Sequence, residues 1–343
     1  MHSSDQSRPP PHPARHKSRR DFLRLAASSA AALALPDSTR LLAQAIVSGG
    51  EASSKTALGD ASRVLRVTSK RLVSAHGVNP TLLRESLIKG LCALADTGVV
   101  ADAWHRLLRP DDTILLKFNQ SAAERLGTTP PLARELVLSL QSAGWRPEQI
   151  MVLEVGGDDL RLVRQTRPAD LRWQGEEVHF GVSGRDSFIA ALDQATAVIN
   201  IPFLKTHHLA TMTGCLKNLS HGLIRHPSRF HAAGCDPAIA EIVASQPLRS
   251  RLRLNVLNAM KVVYNGGPEA GAADIHAAGE LLLSRDPVAC DALGFGILNE
   301  IRALHGLNPL LPGAAIPKFL ASAARMGIGH ADAERVQATL ITI

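Results

Sequence analysis

The sequence predicts an α/β protein with a mostly parallel sheet that helices cover on both faces. Apolar segments without polar alternation recur along the chain and are typical of strands that are buried on both sides. Segments with helical character separate these strands, as expected for a parallel sheet with crossover helices. The 298 residues after residue 45 suit one large domain or two closely joined lobes. The four clearest strand segments are TILL (113–116), QIMVL (149–153), ATAVINI (195–201) and LRLNVL (252–257).

The other elements are predicted from local signals. RVLRVT (63–68) is a predicted strand. Asn79 and Pro80 then supply an N-cap and a first-turn proline for a helix that extends through Ala95. Further helices are predicted at 101–108, at about 131–143 and at about 188–194.

The C-terminal third contains two aspartates in one predicted helix. Asp286 precedes Pro287 and is expected to act as the N-cap of that helix. Asp291 follows inside an apolar segment, where an acidic side chain is unusual. We expect it to have a structural role, either beside a buried backbone group or beside a lysine of the functional site.

Residues 1–45 are predicted to be a twin-arginine (Tat) signal peptide and are set apart from the fold. Ser18–Arg24 (SRRDFLR) matches the export pattern, a mild apolar stretch follows at 25–35, and Ala43-Gln44-Ala45 offers a cleavage site. The alternative is a disordered basic tail. Export would place the protein in the periplasm, with the Tat machinery as a partner. Residues 46–62 are small and polar and are predicted to be a linker, so that the domain spans 63–343.

Charge and composition exclude some classes of partner. The formal net charge is +7, but residues 1–45 carry seven Lys/Arg and three Asp/Glu, so most of that charge belongs to the signal peptide. Only 3% of residues are aromatic, which leaves few platforms on which nucleic-acid bases can stack. We therefore expect no nucleic-acid binding, and no apolar segment is long enough to predict a permanent membrane anchor.

Polar side chains follow the predicted strands and suggest where the functional site lies. Lys117 and Asn119 follow the first of these strands, Glu154 follows the second, and Lys205 follows the third. In open α/β sheets, ligands bind beyond the carboxyl ends of the strands, where the connecting segments meet. Because Pro202 cannot donate to a central ladder, we expect the chain to turn outward there, toward that site.

The segment 200–231 is rich in lysine and histidine and predicts a site for an anion. Lys205, His207 and Lys217 are the candidate catalytic residues, since lysine and neutral histidine can transfer protons when their pKa values lie near neutrality. Gly214 lies near the start of a predicted helix whose free N–H groups would suit a phosphate or carboxylate. The candidate substrate-binding residues are Lys117, Asn119, Asn200, Thr206, Asn218, His221 and Gly267.

A divalent metal is the cofactor that the composition of this region suggests, although the sequence does not identify one. The candidate ligands are His207, His208, Glu154 and Asp158, while His221, His226 and His231 match no recognised ligand spacing. The four cysteines show no C-x-x-C pair, so no iron–sulfur cluster motif is present. Cys215 and Cys235 flank the histidine-rich segment and either remain free thiols or form a disulfide.

With these residues in view, the chain resembles the DUF362 family, a group of bacterial and archaeal proteins of unknown function. The resemblance rests on ILLKFN, VINIPFLKTHHLATMTGCLKNLSHGLI, YNGGP and GELLLSRDPVACDALG. Some relatives carry a ferredoxin-like module, whereas the cysteines of this chain are scattered. The matching positions are Lys117, Asn119, Asn200, Pro202, Lys205, Thr206, His207, Lys217, Asn218, Gly267, Pro268, Asp286, Pro287 and Asp291.

The sequence therefore leaves two functions open. The first is an exported enzyme that acts on a small carboxylate or phosphate, with or without a metal. The alternative is a non-catalytic periplasmic protein that binds a metal or an anion. An electron-transfer accessory would need a cysteine-ligated cluster, which this sequence lacks, and the reaction type stays open.

Overall fold

The computed structural model describes residues 61–154, 172–269 and 271–343, together with the backbone of residues 164–165. The predicted signal peptide, residues 46–60 of the predicted linker and the metal-ligand candidate Asp158 lie outside the described residues. Within the described part, no helix is long and apolar enough to span a membrane.

The described residues contain fourteen strands, of which ten form one sheet. The strands are β1 (Ser62–Thr68), β2 (Val73–Ser74), β3 (Gly77–Val78), β4 (Ile114–Lys117), β5 (Ile150–Leu153), β6 (Arg164–Gln165), β7 (Val178–Phe180), β8 (Gly184–Asp186), β9 (Ala197–Asn200), β10 (Phe203–His207), β11 (Thr211–Thr213), β12 (Leu252–Val263), β13 (Ile275–Ser284) and β14 (Val336–Thr342). The main path of the sheet is β14-β1-β13-β12-β9-β4-β5-β6, and β2-β3 and β7-β8 are separate hairpins.

Ten α-helices lie within the described residues. They are α1 (Pro80–Leu94), α2 (Val100–Leu107), α3 (Ala123–Leu126), α4 (Thr129–Ser142), α5 (Ala191–Gln194), α6 (Cys215–His221), α7 (Ala238–Ala244), α8 (Gln246–Arg249), α9 (Pro287–Leu304) and α10 (Lys318–Arg325). The N-caps predicted for two of them are confirmed. Asn79 accepts from the N–H groups of Thr81 and Leu82, and Asp286 accepts from those of Val288 and Ala289.

The predicted α/β class with a mostly parallel sheet is confirmed. Six of the nine pairings in the ten-stranded sheet of the described residues are parallel. Successive residues of β4 enter different cores, because side chains alternate between the two faces of a strand. Leu115 belongs to the cluster with α6, α7, α9 and α10, whereas Ile114 and Leu116 belong to the cluster with α1, α2 and α4. Helices therefore cover both faces.

The expectation that the chain turns outward after Pro202 is wrong. The chain continues as β10, which pairs in parallel with the second half of β12, while β9 pairs with the first half. The proline is accommodated in the short break between β9 and β10, where its carbonyl accepts from Asn258 N at 2.8 Å. Strand β12 is long enough to carry both strands, so Lys205 and His207 lie on a strand and not in a loop.

The helix expected at about 188–194 is shorter than predicted. It spans only Ala191–Gln194, because Phe188 and Ile189 instead form isolated bridges with Ile224 and Trp173. Both residues are buried in the core, so tertiary packing decided the conformation of this apolar segment. All four cysteines are free and buried, including Cys215 and Cys235.

Candidate functional site

A cleft of about 870 Å³ lies beyond the carboxyl ends of β4 and β5. The predicted position of the site at the strand ends therefore agrees with the fold, since β4, β5, β9 and β12 run parallel and end at one edge. The lining residues are Asn119, Gln120, Ser121, Ala122, Ala123, Glu124, Arg125, Glu154, Lys205, His207, Thr213, Lys217, Asn218, His221, Gly222, Pro268 and Glu269.

Lys117 lies beneath the residues that line this cleft. It is the last residue of β4, it points to the same face as Leu115, and it is fully buried. Its Nζ donates to Phe118 O at 2.6 Å and to Glu154 Oε2 at 2.8 Å. Burial lowers the pKa of Lys117, although the Glu154 carboxylate acts in the opposite direction. Lys117, predicted as a substrate-binding residue, is therefore buried, paired with Glu154 and absent from the residues that line the cleft.

The three predicted asparagines form a network that holds the lysines in place. Asn218 Oδ1 accepts from Lys117 Nζ at 3.3 Å and from Asn119 Nδ2 at 3.1 Å. Asn218 Nδ2 donates to Asn200 Oδ1 at 2.8 Å, and Asn200 Nδ2 in turn donates to Asn255 Oδ1 at 2.9 Å. Because these amides are already satisfied within the protein, they are positioning groups.

Lys205 reaches the cleft from β10. Its Nζ donates to the backbone oxygen of Ser121 at 2.8 Å, to Ser121 Oγ at 2.9 Å and to Asn119 Oδ1 at 3.3 Å. Ser121 Oγ donates to Glu269, so the nearest carboxylate is one hydroxyl away from the ammonium group. Burial lowers the pKa of Lys205 to about 8.

Lys217 is a second cation in the wall of the cleft. It belongs to α6 and is buried, and its Nζ lies 3.3 Å from Nε2 of His231. Burial lowers the pKa of Lys217 to about 8. Within the described part of the chain, no carboxylate pairs with Lys217. Its charge therefore has no ionic partner among these residues.

His207 lines the cleft with its tautomer fixed by the backbone. Its Nδ1 accepts from the N–H groups of Leu209 at 3.1 Å and Ala210 at 3.2 Å. A neutral imidazole that accepts at Nδ1 carries its proton on Nε2. Burial, reinforced by Lys217, lowers the pKa of His207 to about 3. His207 is thus a neutral hydrogen-bond donor at neutral pH.

The N–H groups at the start of α6 are not available to an anion, although the sequence suggested an anion site there. Asp291 on α9 already accepts from Cys215 N at 2.5 Å and from Leu216 N at 2.9 Å. Burial raises the pKa of Asp291 to about 7, while these two N–H groups act in the opposite direction. The structural role expected for Asp291 is therefore found, and it removes the helix start from the candidate site.

Thr206 and Gly267 lie behind the residues that line the cleft and contact each other directly. Thr206 Oγ1 accepts from Gly267 N at 2.9 Å, and a Cβ at Gly267 would lie 2.1 Å from Thr206 O. This close approach explains why glycine occupies the position, because only glycine lacks the atom that would clash. The contact fixes the turn that brings Pro268 and Glu269 to the cleft.

The described members of the predicted metal-ligand set do not form a cluster of ligand atoms, although the rings of His207 and His208 stack with their centroids 5.1 Å apart. His207 Nδ1 is engaged by the backbone, His208 is exposed, and Glu154 pairs with Lys117. Another set of the described residues has its ligand atoms within 4.8 Å of one another, namely His221, His231 and Cys235. Of the three, the sequence had placed only His221 in the candidate site, as a substrate-binding residue.

Sequence reasoning missed three residues that shape the cleft. Ser121 and Glu269 form the bridge from Lys205, and both lie one or two residues beyond motifs that had been noticed. Gly222 is needed because a Cβ there would lie 2.6 Å from Lys117 Nζ. Glu269 directly follows the YNGGP motif, and this position could have marked it as a candidate. Only the fold shows that the turn formed by this motif lies beside Ser121.

A family model described as a domain of unknown function, DUF362, matches residues 170–295. The DUF362 match supports the resemblance seen in the sequence. It contains Lys205, His207, Lys217 and Gly267, whereas Lys117 and Glu154 lie before it. No protein with a curated description matches the chain. The DUF362 match names no activity, so the chemistry must be argued from the site.

Proposed function

We propose that this protein is an exported enzyme that acts on a small anionic substrate, a carboxylate or a phosphate, in the cleft beyond the strand ends. The observation that carries the proposal is the convergence of Lys205, Lys217 and His207 on this cleft. Burying charge is costly unless a partner compensates it. A bound anion would supply the counter-charge that Lys217 lacks among the described residues.

Each group has a distinct part in the proposed site. His207 would donate its Nε2–H to an oxygen of the anion, whereas Lys205 would contribute its positive charge, since its three N–H donors already reach Ser121 and Asn119. Lys217 would exchange a proton with the substrate, because an amine that loses its charge near neutrality can act as an acid or a base. Asn119 and Asn218 would keep the lysine side chains in position through the contacts described above.

Anion binding is tested directly with sulfate, phosphate and a panel of small carboxylates, by calorimetry and by thermal shift. The variants are Lys205→Met and Lys217→Met, and Lys318→Met is the matched control because Lys318 is exposed at the start of α10. We expect each cleft variant to lose at least tenfold in affinity, whereas the control binds like the wild type. Equal binding by all four proteins would refute the anion site.

Catalysis is tested separately from binding. Compounds that bind are incubated with the protein and followed by NMR for conversion. An enzyme predicts that Lys217→Met abolishes conversion of a compound that the variant still binds at raised concentration. The alternative is a non-catalytic binding protein, which predicts that no bound compound is converted. The low basicity of His207 is the observation that supports this alternative.

Export is part of the proposal and rests on the pattern at 18–24. Replacement of Arg19 and Arg20 by lysine should retain the protein in the cytoplasm, because the export pathway reads the arginine pair. Fractionation of cells that express the wild type and the double variant measures this. Periplasmic recovery of both proteins in equal amounts would contradict the Tat assignment.

A further inference from the structure

Three side chains at the wall of the cleft have the chemistry of metal ligands. His221 is the last residue of α6, and two 3₁₀ turns follow it, at 227–230 and 232–235. His231 lies between these two turns, and Cys235 ends the second one. Cys235 is buried and both histidines are half-buried. One ligand atom from each residue lies within 4.8 Å of the others.

These separations are close to those of an occupied site. Ligand nitrogens lie about 2.0 Å and sulfurs about 2.3 Å from zinc, so neighbouring ligand atoms in a tetrahedral site are about 3.5 Å apart. Each separation therefore needs to shorten by at most about 1.3 Å. Rotation of side chains alone can supply a movement of this size.

The hydrogen bonds around His231 place its lone pair on Nε2. Its ring is hydrogen-bonded to the backbone oxygens of Pro227 and Ser228. Its Nε2 faces Lys217 Nζ, and an ammonium group can only donate, so Nε2 accepts and Nδ1 carries the proton. Histidine ligands commonly hold their second ring nitrogen against a carbonyl in this way.

His221 is oriented by a similar contact. Its Nε2 lies 3.2 Å from Phe230 O, and because a carbonyl only accepts, Nε2 carries the proton. Nδ1 then bears the lone pair and faces Ser220 Oγ at 3.0 Å. The Ser220 hydroxyl can instead donate its hydrogen bond to Lys217 O, which lies 3.3 Å away. The lone pair on Nδ1 of His221 is then free to bind a metal.

The backbone between His231 and Cys235 is bent in an unusual way. Ala233, Gly234 and Cys235 all have left-handed conformations, with φ of 51°, 74° and 64°. Such conformations are costly for residues with a Cβ and often mark functional positions. The bend carries Cys235 back toward His231.

We propose that His221, His231 and Cys235 bind a divalent transition metal, with Zn²⁺ as the expected ion, at the wall of the cleft. Two imidazoles and a thiolate suit zinc and leave a fourth position for a water or a ligand. Binding releases the thiol proton of Cys235 to solvent, since the ligand is the thiolate. The site does not depend on whether the cleft is catalytic.

Lys217 is expected to oppose the metal. Its Nζ occupies the lone pair of His231 that the metal requires, and its positive charge repels a divalent cation. Lys217→Met should therefore bind metal more tightly than the wild type does. This gain of affinity is a readout that a damaged fold would not produce.

The experiment is a Co²⁺ titration of the full chain, followed by the near-ultraviolet absorption of a cobalt–thiolate bond. We expect one Co²⁺ per chain, displaced by Zn²⁺, and at least tenfold tighter binding in Lys217→Met. The absorption should be lost in Cys235→Ser and strongly reduced in His231→Gln. Elemental analysis of the protein from its native host distinguishes zinc from copper, which the same ligands can also hold.

Two matched controls keep the result specific. His226→Gln removes a neighbouring histidine that bonds to Asp186 instead, and Cys92→Ser removes a thiol on α1. Both should keep the absorption, and circular dichroism checks the fold of every variant. The proposal is overturned if the wild type binds no Co²⁺, if the bound ion shows no thiolate absorption, or if the absorption survives in Cys235→Ser.

Discussion

Lys217 Nζ lies 3.3 Å from Nε2 of His231, so one lysine belongs to both the wall of the cleft and the histidine–cysteine cluster. The ammonium group favours an anion in the cleft and disfavours a cation at the cluster. A single substitution should therefore have opposite effects on two kinds of ligand.

The first prediction follows from this shared position. Lys217→Met should weaken sulfate binding at least tenfold and strengthen Co²⁺ binding at least tenfold in the same preparation. Both affinities are measured by calorimetry, with Lys318→Met as the control that changes neither. A variant that lost both ligands together would indicate a damaged fold and not a competing charge.

The second prediction concerns the pH dependence of anion binding. Burial lowers the pKa of Lys205 to about 8, so this lysine is charged below pH 8 and loses its charge above it. Sulfate keeps its charge across this range, and its affinity should fall as pH rises, by up to about tenfold per pH unit for each lysine that must be charged. The charged groups that face Lys205 are Glu269, Lys217, Glu154 and Lys117.

Calorimetry with sulfate between pH 6.5 and pH 9.5 measures this dependence, at constant ionic strength. The fall should begin near pH 8, the pKa of Lys205 in the unliganded protein, and continue up to the higher pKa that the lysine has beside a bound anion. In Lys205→Met the fall should be shallower. A constant affinity up to pH 9.5 would show that no group with a lowered pKa binds the anion.

The third prediction tests the cap that Asp291 provides for α6. Asp291→Ala leaves two buried N–H groups without an acceptor, each worth about 1–3 kcal/mol. We expect the free energy of unfolding in urea to fall by about 3 kcal/mol in total. Asp332→Ala is the control, since that side chain is exposed, and should change the value by less than about 0.5 kcal/mol.

The fourth prediction tests the buried pair of Lys117 and Glu154. Glu154→Gln removes the carboxylate that compensates a fully buried ammonium group, and should lower the free energy of unfolding by about 2 kcal/mol. The double variant with Lys117→Met should recover part of that loss. Glu85→Gln breaks an exposed pair with Lys89 and should cost less than about 0.5 kcal/mol. A loss in Glu154→Gln no larger than in Glu85→Gln would contradict the pairing.

The fifth prediction tests the contact behind the cleft. Gly267→Ala places a Cβ 2.1 Å from Thr206 O, a backbone atom that cannot move aside easily. The turn that carries Pro268 and Glu269 should shift, and sulfate affinity should fall together with the melting temperature. Gly98→Ala is the control, because a Cβ there meets nothing within 4 Å. Normal anion binding by Gly267→Ala would show that this turn does not shape the site.

The sequence by itself determined the fold class, the two helix starts at Asn79 and Asp286, and the edge of the sheet where the polar residues gather. These features depend on local signals, namely apolar strand segments, N-caps and the direction of parallel strands. These local signals do not depend on how the helices and strands pack together. Lys205, Lys217 and His207 could therefore be predicted as site residues from the sequence.

Only the tertiary structure decided which side chains meet. The sequence could not show that Asp291 occupies the start of α6, or that β10 continues along β12 after Pro202, because both contacts join segments more than 50 residues apart. It also could not separate His207, which burial keeps neutral, from His231, which is joined to Cys235 by a left-handed bend. Burial and long-range hydrogen bonds set these roles, and neither is written in the local sequence.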